Sequence, residues 1–346
     1  MKKRFLALTL SLAFVLTLLA GCGSSSGTST GTGSGTGSDT PKETKTVSIQ
    51  IDGAAVPYYA PLYVAQENGY FAEEGLNVEF YYAAAADIVK NVASGNVEFG
   101  FPNADAVVAA KSQGIPVKVV HTTYQEGLGA IIFGTDSGIK TPADLKGKKV
   151  AVTSLGSANY FQLQAAMESV GLSINDVNVE IVGTGAILTA LTEGQVDAIA
   201  FSKLRTIELN NAGYAASEIP CDQFLPSFGN VLVASDSMVS GDPATVAAFC
   251  RALNKGIQYI IDGHTEDAVD MSIEKYAPTF AEKRDVVVQI INNVFIATLW
   301  QSDYTKANGL GASNADKWQK LIDNSKAAGI IDTSFSASDL LYTPSK

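Results

Sequence analysis

The sequence predicts an α/β fold in two lobes, each with a mainly parallel sheet. Short apolar segments alternate with amphipathic helical segments from residue 46 onward, as when strands are joined by crossover helices. About 300 residues follow that point, which is more than one hydrophobic core of typical size contains. Glycines end several helical segments, because a residue without a Cβ atom tolerates the left-handed conformation at a helix C-terminus.

The first run of segments begins at residues 47–51, where apolar and polar side chains alternate as in a half-buried strand. Gly69, Gly95 and Gly114 end the three helices of this run. The predicted elements are, in order, strand 47–51, helix 61–68, strand 78–82, helix 87–94, strand 99–101, helix 104–113 and strand 117–121.

The pattern restarts at residue 130 and becomes mainly helical after Asp242. Pro243 lies near the start of a long helix and Gly263 follows its end, which is the usual punctuation of a helix. The predicted elements are strand 130–133, helical turn 141–145, strand 149–153, helix 157–170, strand 179–182, helix 187–193, strands 198–201 and 231–234, and helix 245–261.

Residues 94–101 and 193–201 share one order of features: a helix end, a glycine, a polar residue, a valine, an acid and a strand. This similarity fits two lobes of similar construction. Any tight helix-to-strand turn favours the same composition, so the similarity does not establish a duplication.

The N-terminus has the pattern of a secretory signal at residues 1–21. Lys2, Lys3 and Arg4 precede an apolar stretch that is shorter than the ~20 residues of a membrane-spanning helix. The stretch ends in LAGC, which resembles a bacterial lipobox and implies that Cys22 is lipidated. The lipid would anchor the protein to the outer face of the cell membrane. The alternative is an ordinary signal peptide beside an incidental cysteine.

Residues 22–46 are predicted to be the lipidated cysteine and a flexible tether. Residues 23–38 are only Gly, Ser and Thr, so no buried apolar area offsets the entropy cost of ordering them. The segment from residue 23 to residue 46 has a root-mean-square reach of about 25–30 Å as a flexible coil.

Charge and composition exclude several classes of function. Three of the 24 basic residues lie in the predicted signal, so the remainder, with 35 acidic residues, has a formal charge of −14. Such a surface argues against binding of nucleic acid or anionic lipid. His121 and His264 are the only histidines, too few for a multi-histidine metal site, and we expect no metal and no cofactor. Cys221 and Cys250 either pair or remain two isolated buried thiols.

Four segments resemble a known family. They are YAPLYVAQENGYFAEEGLNV (residues 59–78), GIKTPADLKGKKVAV (138–152), EGQVDA (193–198) and VLVASDSMVSGDPATVAAFCRAL (231–253). The chain is identified on these segments as a member of the sulfonate/nitrate/thiamine-precursor (SsuA/THI5-like, NMT1-like) family of ABC-transporter solute-binding proteins. The resemblance covers nearly all of residues 47–331.

The resemblance implies a type II periplasmic-binding-protein fold, with two lobes joined by two hinge crossovers. Lobe 1 would comprise residues 47–134 and 235–346, and lobe 2 residues 135–234. It also implies a monomer that captures a small molecule and delivers it to the permease and ATPase of an importer. One branch of the family makes the thiamine pyrimidine, and it depends on a cysteine cluster and an active histidine. This chain lacks such a cluster, so we expect a receptor and not an enzyme.

Ligand contacts are expected at the loops that follow strand ends, because ligands of open α/β sheets bind beyond the carboxyl ends of the strands. Tyrosines and a phenylalanine there could stack on a flat ring, and carboxylates could accept its hydrogen bonds. Ser157 begins a helix, where it could cap the helix or help to bind an oxygen of the ligand. The candidate ligand-binding residues are Asp52, Tyr58, Tyr59, Asp87, Asn103, Asp105, Tyr124, Glu126, Ser157, Asn159, Thr184, Ser202 and Phe228.

The ligand is predicted to be a nitrogen heterocycle, such as a thiamine pyrimidine precursor or riboflavin. Lys203 and Arg205 are the only cations in the predicted cleft loops, and the stretch LWQSDYTKANGLGASNADKWQKL resembles the pyrimidine and riboflavin branch. A receptor for an alkanesulfonate, taurine or nitrate is the alternative, since helix N-termini alone can bind anions. A pyrimidine-synthesis enzyme and a structural surface lipoprotein are less favoured, because catalytic motifs and repeats are absent from the sequence.

Overall fold

The computed structural model describes residues 44–155 and 157–345. The predicted signal, the lipidated Cys22 and the tether up to residue 43 lie outside the described residues. No helix within the described ranges is long and apolar enough to cross a membrane.

The strands of the described residues alternate with helices in the first two thirds of the chain, as predicted. They are β1 (Lys45–Asp52), β2 (Leu76–Ala83), β3 (Phe99–Phe101), β4 (Val117–His121), β5 (Gly129–Gly134), β6 (Lys149–Val152), β7 (Asn178–Ile181), β8 (Ala198–Ser202), β9 (Ala216–Pro220) and β10 (Leu232–Ser235).

The helices of the described residues dominate the last third of the chain. The α-helices are α1 (Ala60–Glu67), α2 (Tyr70–Glu73), α3 (Ala85–Ser94), α4 (Ala104–Ser112), α5 (Ala158–Glu168), α6 (Ile187–Thr192), α7 (Leu204–Asn211), α8 (Asp236–Gly241), α9 (Pro243–Ile261), α10 (Thr265–Lys275), α11 (Arg284–Ile290), α12 (Asp303–Asn308) and α13 (Ala315–Ala327). A π-helix spans Ile291–Leu299, and 3₁₀ turns span Pro57–Tyr59, Thr135–Ser137, Pro142–Leu145, Ile174–Asp176, Cys221–Gln223, Pro278–Lys283 and Ala337–Asp339.

Two five-stranded sheets have the same design. The strand order is β2-β1-β3-β10-β4 in the first sheet and β7-β6-β8-β5-β9 in the second. In each sheet four strands share one direction, and the strand next to the last, β10 or β5, runs antiparallel to them. Helices cover both faces of each sheet. The predicted α/β class with two mainly parallel sheets is confirmed.

The two similar sequence segments occupy equivalent places in the two sheets. They lead into β3 and β8, each the central strand of its sheet. Their acids make equivalent hydrogen bonds: Glu98 accepts from the main-chain N–H of Ser48 at 2.8 Å, and Asp197 accepts from that of Lys149 at 2.8 Å. Each carboxylate therefore fixes the turn before the central strand to the neighbouring strand, β1 or β6.

Two strands lie in a different sheet from the one that the predicted lobe limits imply. Those limits place residues up to 134 in lobe 1 and residues 135–234 in lobe 2. However, β5 pairs with β8 and β9, and β10 pairs with β3 and β4. The chain therefore passes between the sheets twice. The first crossing joins β4 to β5 (residues 122–128), and the second crossing joins β9 to β10 (residues 221–231). A buried strand has the same sequence pattern in either sheet, so periodicity could not place these two crossings. In other respects the lobe limits stay a prediction.

The core of each sheet is double, with one cluster on each face. In the first sheet, Ile49 packs toward α1 and α9, whereas Val233 packs on the other face with Trp318 of α13. Cys250 lies buried in the first of these clusters and Cys221 in a cluster of the second sheet, and both thiols are free. The two cysteines are therefore isolated buried thiols and do not form a disulfide.

Helix α9 lies directly against α1 at Gly256. A Cβ atom at this position would overlap the main-chain oxygen of Pro61 and touch the Cβ of Ala65 at 3.4 Å. Helix α1 follows the turn Pro57–Tyr59 without a break, so this packing also positions the tyrosines of that turn. The absence of a side chain at Gly256 therefore contributes to the geometry of the loop after β1.

We expect the substitution Gly256→Ala to lower the free energy of unfolding by about 1–3 kcal/mol, because a main-chain atom must move to accommodate the methyl group. Alanine is more favourable than glycine in a helix by ~1 kcal/mol, so the expected loss of stability is what remains after that gain is subtracted. Gly241→Ala is the matched control, since a Cβ atom added at this helical glycine would meet no atom within 4 Å. Urea unfolding measures both variants. Equal stability of the two variants would contradict the packing argument.

Candidate functional site

Polar side chains meet at the carboxyl ends of β1 and β3. Asn103 Nδ2 donates to Asp52 Oδ2 at 3.3 Å, and its Oδ1 caps α4 by accepting from the N–H of Ala106 at 2.9 Å. The hydroxyl of Tyr59 donates to the main-chain oxygen of Asp52 at 2.6 Å. Burial raises the pKa of Asp52, and hydrogen bonds from Asn103 and the main chain of Ala85 oppose the rise. Asp52, Tyr59 and Asn103, all predicted as ligand contacts, thus form one hydrogen-bonded group.

Aromatic rings form a wall beside this group. Tyr58 stacks on Phe295 with ring centroids 5.5 Å apart, and it packs in a T-shaped arrangement with Phe280, with centroids 6.1 Å apart. The hydroxyl of Tyr124 donates to the main-chain oxygen of Tyr58 at 3.1 Å, and its ring packs edge-on against Phe101 and Phe295. Burial raises the pKa of Tyr124 well above its usual value, so this hydroxyl stays a donor. The structure brings Tyr58, Tyr59 and Tyr124 together, but Tyr124 is only 2% exposed, so its ring has no surface left to stack on a ligand.

An ion pair joins the first crossing to the second sheet. Lys203 Nζ lies 3.3 Å from Glu126 Oε2 and 3.4 Å from Thr298 Oγ1 of the π-helix. Only 10% of the Lys203 side chain is exposed, and a buried charged group of this kind needs a partner such as Glu126. Glu126, predicted as a ligand contact, is therefore already bound to a protein cation. Ser202, which precedes Lys203, accepts weakly from the N–H of Leu204 at 3.4 Å.

The start of α5 carries the predicted residues Ser157 and Asn159. Ser157 caps the helix: its Oγ accepts from the N–H of Tyr160 at 3.2 Å and donates to the oxygen of Ser154 at 2.9 Å. Asn159 Nδ2 donates to Gln162 Oε1 at 3.1 Å. The capping function of Ser157 is confirmed, and it leaves no hydroxyl proton for a ligand.

A cavity of about 190 Å³ lies between the N-terminal halves of α4 and α5, next to the second crossing and α13. Asp105 of α4 is its acidic residue, and burial raises the pKa of this carboxyl to about 6. The residues that line the cavity are Asp105, Ala106, Ala109, Ala158, Phe161, Gln162, Leu225, Ser227, Leu321, Ser325 and Ile330.

Sequence reasoning missed most of this lining. Ala158, Phe161 and Gln162 follow the helical spacing i, i+3, i+4, so they share one face of α5. That spacing, read from the predicted start of the helix, was the signal available for them. The residues from the second crossing and α13 have no such signal, because only the tertiary structure brings them to α4.

Three predicted residues do not join the site. Asp87 and Thr184 are exposed, and they follow the edge strands β2 and β7. Phe228 corrects the prediction of ring stacking: its side chain is 2% exposed and packs on Trp318 at 4.6 Å, with Lys317 Nζ 4.9 Å from the ring centroid. A ring this deeply buried has no surface left for a ligand.

A second, larger cavity of about 760 Å³ lies between β4, α9 and the C-terminal segment 342–345. His121 contributes to its wall, with Nδ1 2.8 Å from Thr123 Oγ1 and Nε2 2.8 Å from Asn254 Oδ1. Burial lowers the pKa of His121 to about 4, so the ring is neutral at pH 7. Both ring nitrogens are already paired with protein atoms. Among residues 44–155 and 157–345, no three His, Cys, Asp or Glu side chains cluster as a metal site would require.

The family model described as "NMT1/THI5 like" matches residues 56–266, more than half of the chain. The riboflavin-binding protein RibY of Chloroflexus aurantiacus is 26% identical over 278 residues, or 79% of this chain and 78% of the relative. The formylaminopyrimidine-binding protein of Halalkalibacterium halodurans is 25% identical over 285 residues, or 80% and 84%. A 4-amino-5-hydroxymethyl-2-methylpyrimidine phosphate synthase of Aspergillus parasiticus is 25% identical over 309 residues, or 84% and 85%.

Solved structures share the fold. The periplasmic aliphatic sulphonate binding protein SsuA of Escherichia coli superposes with a TM-score of 0.70 at 15% identity, covering 87% of this chain and 93% of that one. The periplasmic nitrate-binding protein NrtA of Synechocystis superposes with a TM-score of 0.63 at 13% identity, covering 86% of each. The predicted periplasmic-binding-protein fold is confirmed.

We expect Asp105→Asn to stabilise the protein at pH 7 by about 1–3 kcal/mol and to leave it unchanged near pH 4. The folded pKa of Asp105 lies above its ordinary value, so stability is fully present below about pH 4 and is lost as the pH rises to about 6. Asparagine cannot ionise and removes this loss. Urea unfolding at both pH values measures the stability difference between variant and parent. The control is Asp316→Asn, at an exposed aspartate in the first turn of α13. A variant less stable than the parent at pH 7 would contradict the prediction.

Proposed function

The chain belongs to the NMT1/THI5-like family, and from that membership we propose that it is a solute-binding protein. It would bind a small molecule between its two sheets and deliver it to the permease and ATPase of an ABC importer. The proposed site combines the loops after β1, β3 and β4 with the start of α5. Binding proteins of this shape bend at the chain crossings and close on their ligand.

The observation that carries this proposal is the convergence of polar groups at the carboxyl ends of β1 and β3. The group of Asp52, Tyr59 and Asn103 is held by direct hydrogen bonds and lies at the edge where open α/β sheets bind ligands. Each member is already fixed by the protein, so little side-chain entropy would be lost when a ligand binds.

The ligand that we propose is a small nitrogen heterocycle. Two relatives are named for riboflavin and for a formylaminopyrimidine, both of which are nitrogen heterocycles. The partly buried rings of Tyr58 and Tyr59 supply flat apolar surface, and Asp52 supplies a hydrogen-bond acceptor for ring N–H or amino groups. An anionic ligand is the second candidate, because solved structures with the same fold are named for sulphonate and nitrate binding. It ranks below the heterocycle because these structures are only 15% and 13% identical to this chain.

We propose that the chain binds its ligand without transforming it. Some relatives are named as pyrimidine phosphate synthases, so catalysis is the competing function. Both nitrogens of His121 are held by Thr123 and Asn254, which leaves neither free to exchange a proton with a ligand. Cys221 and Cys250 are buried, and burial raises the pKa of each thiol to about 12, so both are poor nucleophiles at pH 7.

The remaining parts of the proposal concern location. We propose that the protein is monomeric and extracytoplasmic and that lipid on Cys22 anchors it to the outer face of the membrane. The lipobox-like LAGC sequence and the Gly/Ser/Thr tether support this location. Mass spectrometry of the protein from its native membrane tests it, with Cys22→Ala as the variant that should be released.

Native mass spectrometry of the purified protein is expected to find a bound small molecule, whose mass names the ligand. If the protein is empty, a thermal-shift series of pyrimidines, flavins, sulfonates and nitrate should contain one class that raises the melting temperature. A flat response across this series would contradict a solute-binding function.

We expect Asp52→Ala to weaken binding of that ligand about 10- to 100-fold, the range for losing a hydrogen bond to a charged group. Asp136→Ala, an exposed aspartate in the turn Thr135–Ser137, is the matched control and should bind like the parent. Isothermal titration calorimetry measures both variants. Unchanged affinity of Asp52→Ala would mean that the ligand binds elsewhere.

A further inference from the structure

The cavity between α4 and α5 contains one carboxylate whose hydrogen-bonding capacity the protein leaves unused. Ser227 Oγ donates to the oxygen of Phe228 at 3.1 Å, and Ser325 Oγ donates to the oxygen of Leu321 at 2.7 Å. Asp105 differs, because its carboxylate has neither a hydrogen bond nor an ion pair with any described residue.

The fourth polar lining residue is held in place. Gln162 is 4% exposed, and its Oε1 accepts from Asn159. A Cβ atom at Gly129 of β5 would overlap the Gln162 amide, so the glycine provides the space for this side chain. The amide therefore stands at a fixed position on the α5 side of the cavity, across from α4.

The only charged side chain among the described residues that line the cavity is the carboxylate of Asp105. None of the described residues that line it is a lysine, arginine or histidine, and most of the lining is alanine, leucine, isoleucine and phenylalanine. A carboxylate in such surroundings lacks a counter-charge although the residue is only partly buried, and desolvation raises the pKa of Asp105. An anion placed here would add a second negative charge to a region of low dielectric constant. A ligand with a positively charged or strongly polarised N–H group would remove the imbalance.

We propose that Asp105 sets the charge preference of this protein's ligand site: it selects a small ligand with a protonatable N–H donor and rejects anions. The inference rests on the proposed solute-binding function and adds a subsite to it. The residues that line the cavity do not include Asp52, Tyr59 or Asn103, but Asp105 lies two residues after Asn103 in the chain. A ring that carries an amino group beside a protonated ring nitrogen offers two parallel N–H donors to the two oxygens of one carboxylate.

The size of the cavity adds a second restriction. Its volume of about 190 Å³ is below the roughly 300–1,000 Å³ of drug-sized ligand sites. A single-ring molecule fits this volume, whereas a three-ring flavin would need a wider cleft.

A pair of probes of equal size tests the charge preference. 4-Amino-2-methylpyrimidine carries the amino donor, and 2-methylpyrimidin-4-one has an oxygen acceptor in its place. Calorimetric titration of the protein is expected to give a dissociation constant about 10- to 100-fold lower for the amino compound, as for other hydrogen bonds to a charged group. Methanesulfonate and nitrate, which are anions without an N–H donor, should give no heat of binding.

The variant Asp105→Asn should lose this difference, with similar dissociation constants for the two probes. Its fold is not at risk, because the side chain keeps its shape and loses an unpaired charge. A first-turn aspartate that only interacts with the dipole of α4 would behave in the opposite way: its asparagine variant would be less stable and would keep the preference. Asp316→Asn serves as the charge-matched control and should retain the preference of the parent protein.

Failure of the inference and failure of the proposed function give different results. If the parent protein binds either pyrimidine, a flavin or taurine, and Asp105→Asn binds the same compound equally well, the solute-binding function stands and the role of Asp105 is overturned. Binding of methanesulfonate or nitrate in preference to the amino compound also overturns it. If no compound of the thermal-shift series or the probe pair binds the parent, the proposed function fails and the charge preference fails with it.

Discussion

The parallel pairing of β1 with β2 and β3 is the constraint on which the proposed site depends. β1 pairs with β2 through all eight of its residues, from Lys45 opposite Leu76 to Asp52 opposite Ala83. On its other side Ile51 lies opposite Phe101, so β1 and β3 end within one residue of each other. Parallel strands in this register bring their carboxyl ends to one edge of the sheet. The hydrogen bond between Asp52 and Asn103 follows from that register, because each residue lies at or just after a strand end.

Strand order decides which of the predicted loops reach the cleft. Asp87 and Asp105 look equivalent in the sequence, since each lies in the first turn of a helix that follows a strand. The helix of Asp87 follows the edge strand β2, and the residue is exposed. The helix of Asp105 follows the central strand β3, and the residue faces the cavity. Thr184 follows β7, the edge strand of the second sheet, and is exposed for the same reason.

The alternation of strands and helices could be predicted from the sequence because it is local. The 3.6-residue and two-residue periods and the helix-ending glycines depend only on nearby residues. The strand β9 (Ala216–Pro220) escapes such prediction: it has no apolar run and ends in proline, which is tolerated because it pairs with β5 alone at the edge. Partners that are distant in sequence are equally inaccessible. The ring beneath Tyr58 belongs to Phe295, and no local pattern pairs two residues so far apart.

The sequence similarity between the two halves has a physical explanation that does not require duplication. A central parallel strand must be entered by a tight turn from the preceding helix, and the turn exposes main-chain N–H groups of the neighbouring strand. Glu98 and Asp197 each accept a hydrogen bond from such a group, in Ser48 and Lys149. An acid at this position is therefore favoured wherever the same strand order is built, and the two sheets of this chain have the same order.

The two ends of the cavity between α4 and α5 favour opposite charges in a ligand. Asp105 of α4 offers an unpaired carboxylate, whereas Ala158, the first residue of α5, lies where a helix has free N–H groups and a positive dipole end. Because the hydroxyl of Ser157 is used in capping, the donors for a ligand at the α5 end are main-chain N–H groups and the Nε2 amide of Gln162, which donates to no described residue. A sulfonate satisfies the α5 end and is repelled by Asp105. A ring with an N–H donor on one side and an acceptor on the other satisfies both, which is the arrangement that an aminopyrimidine presents.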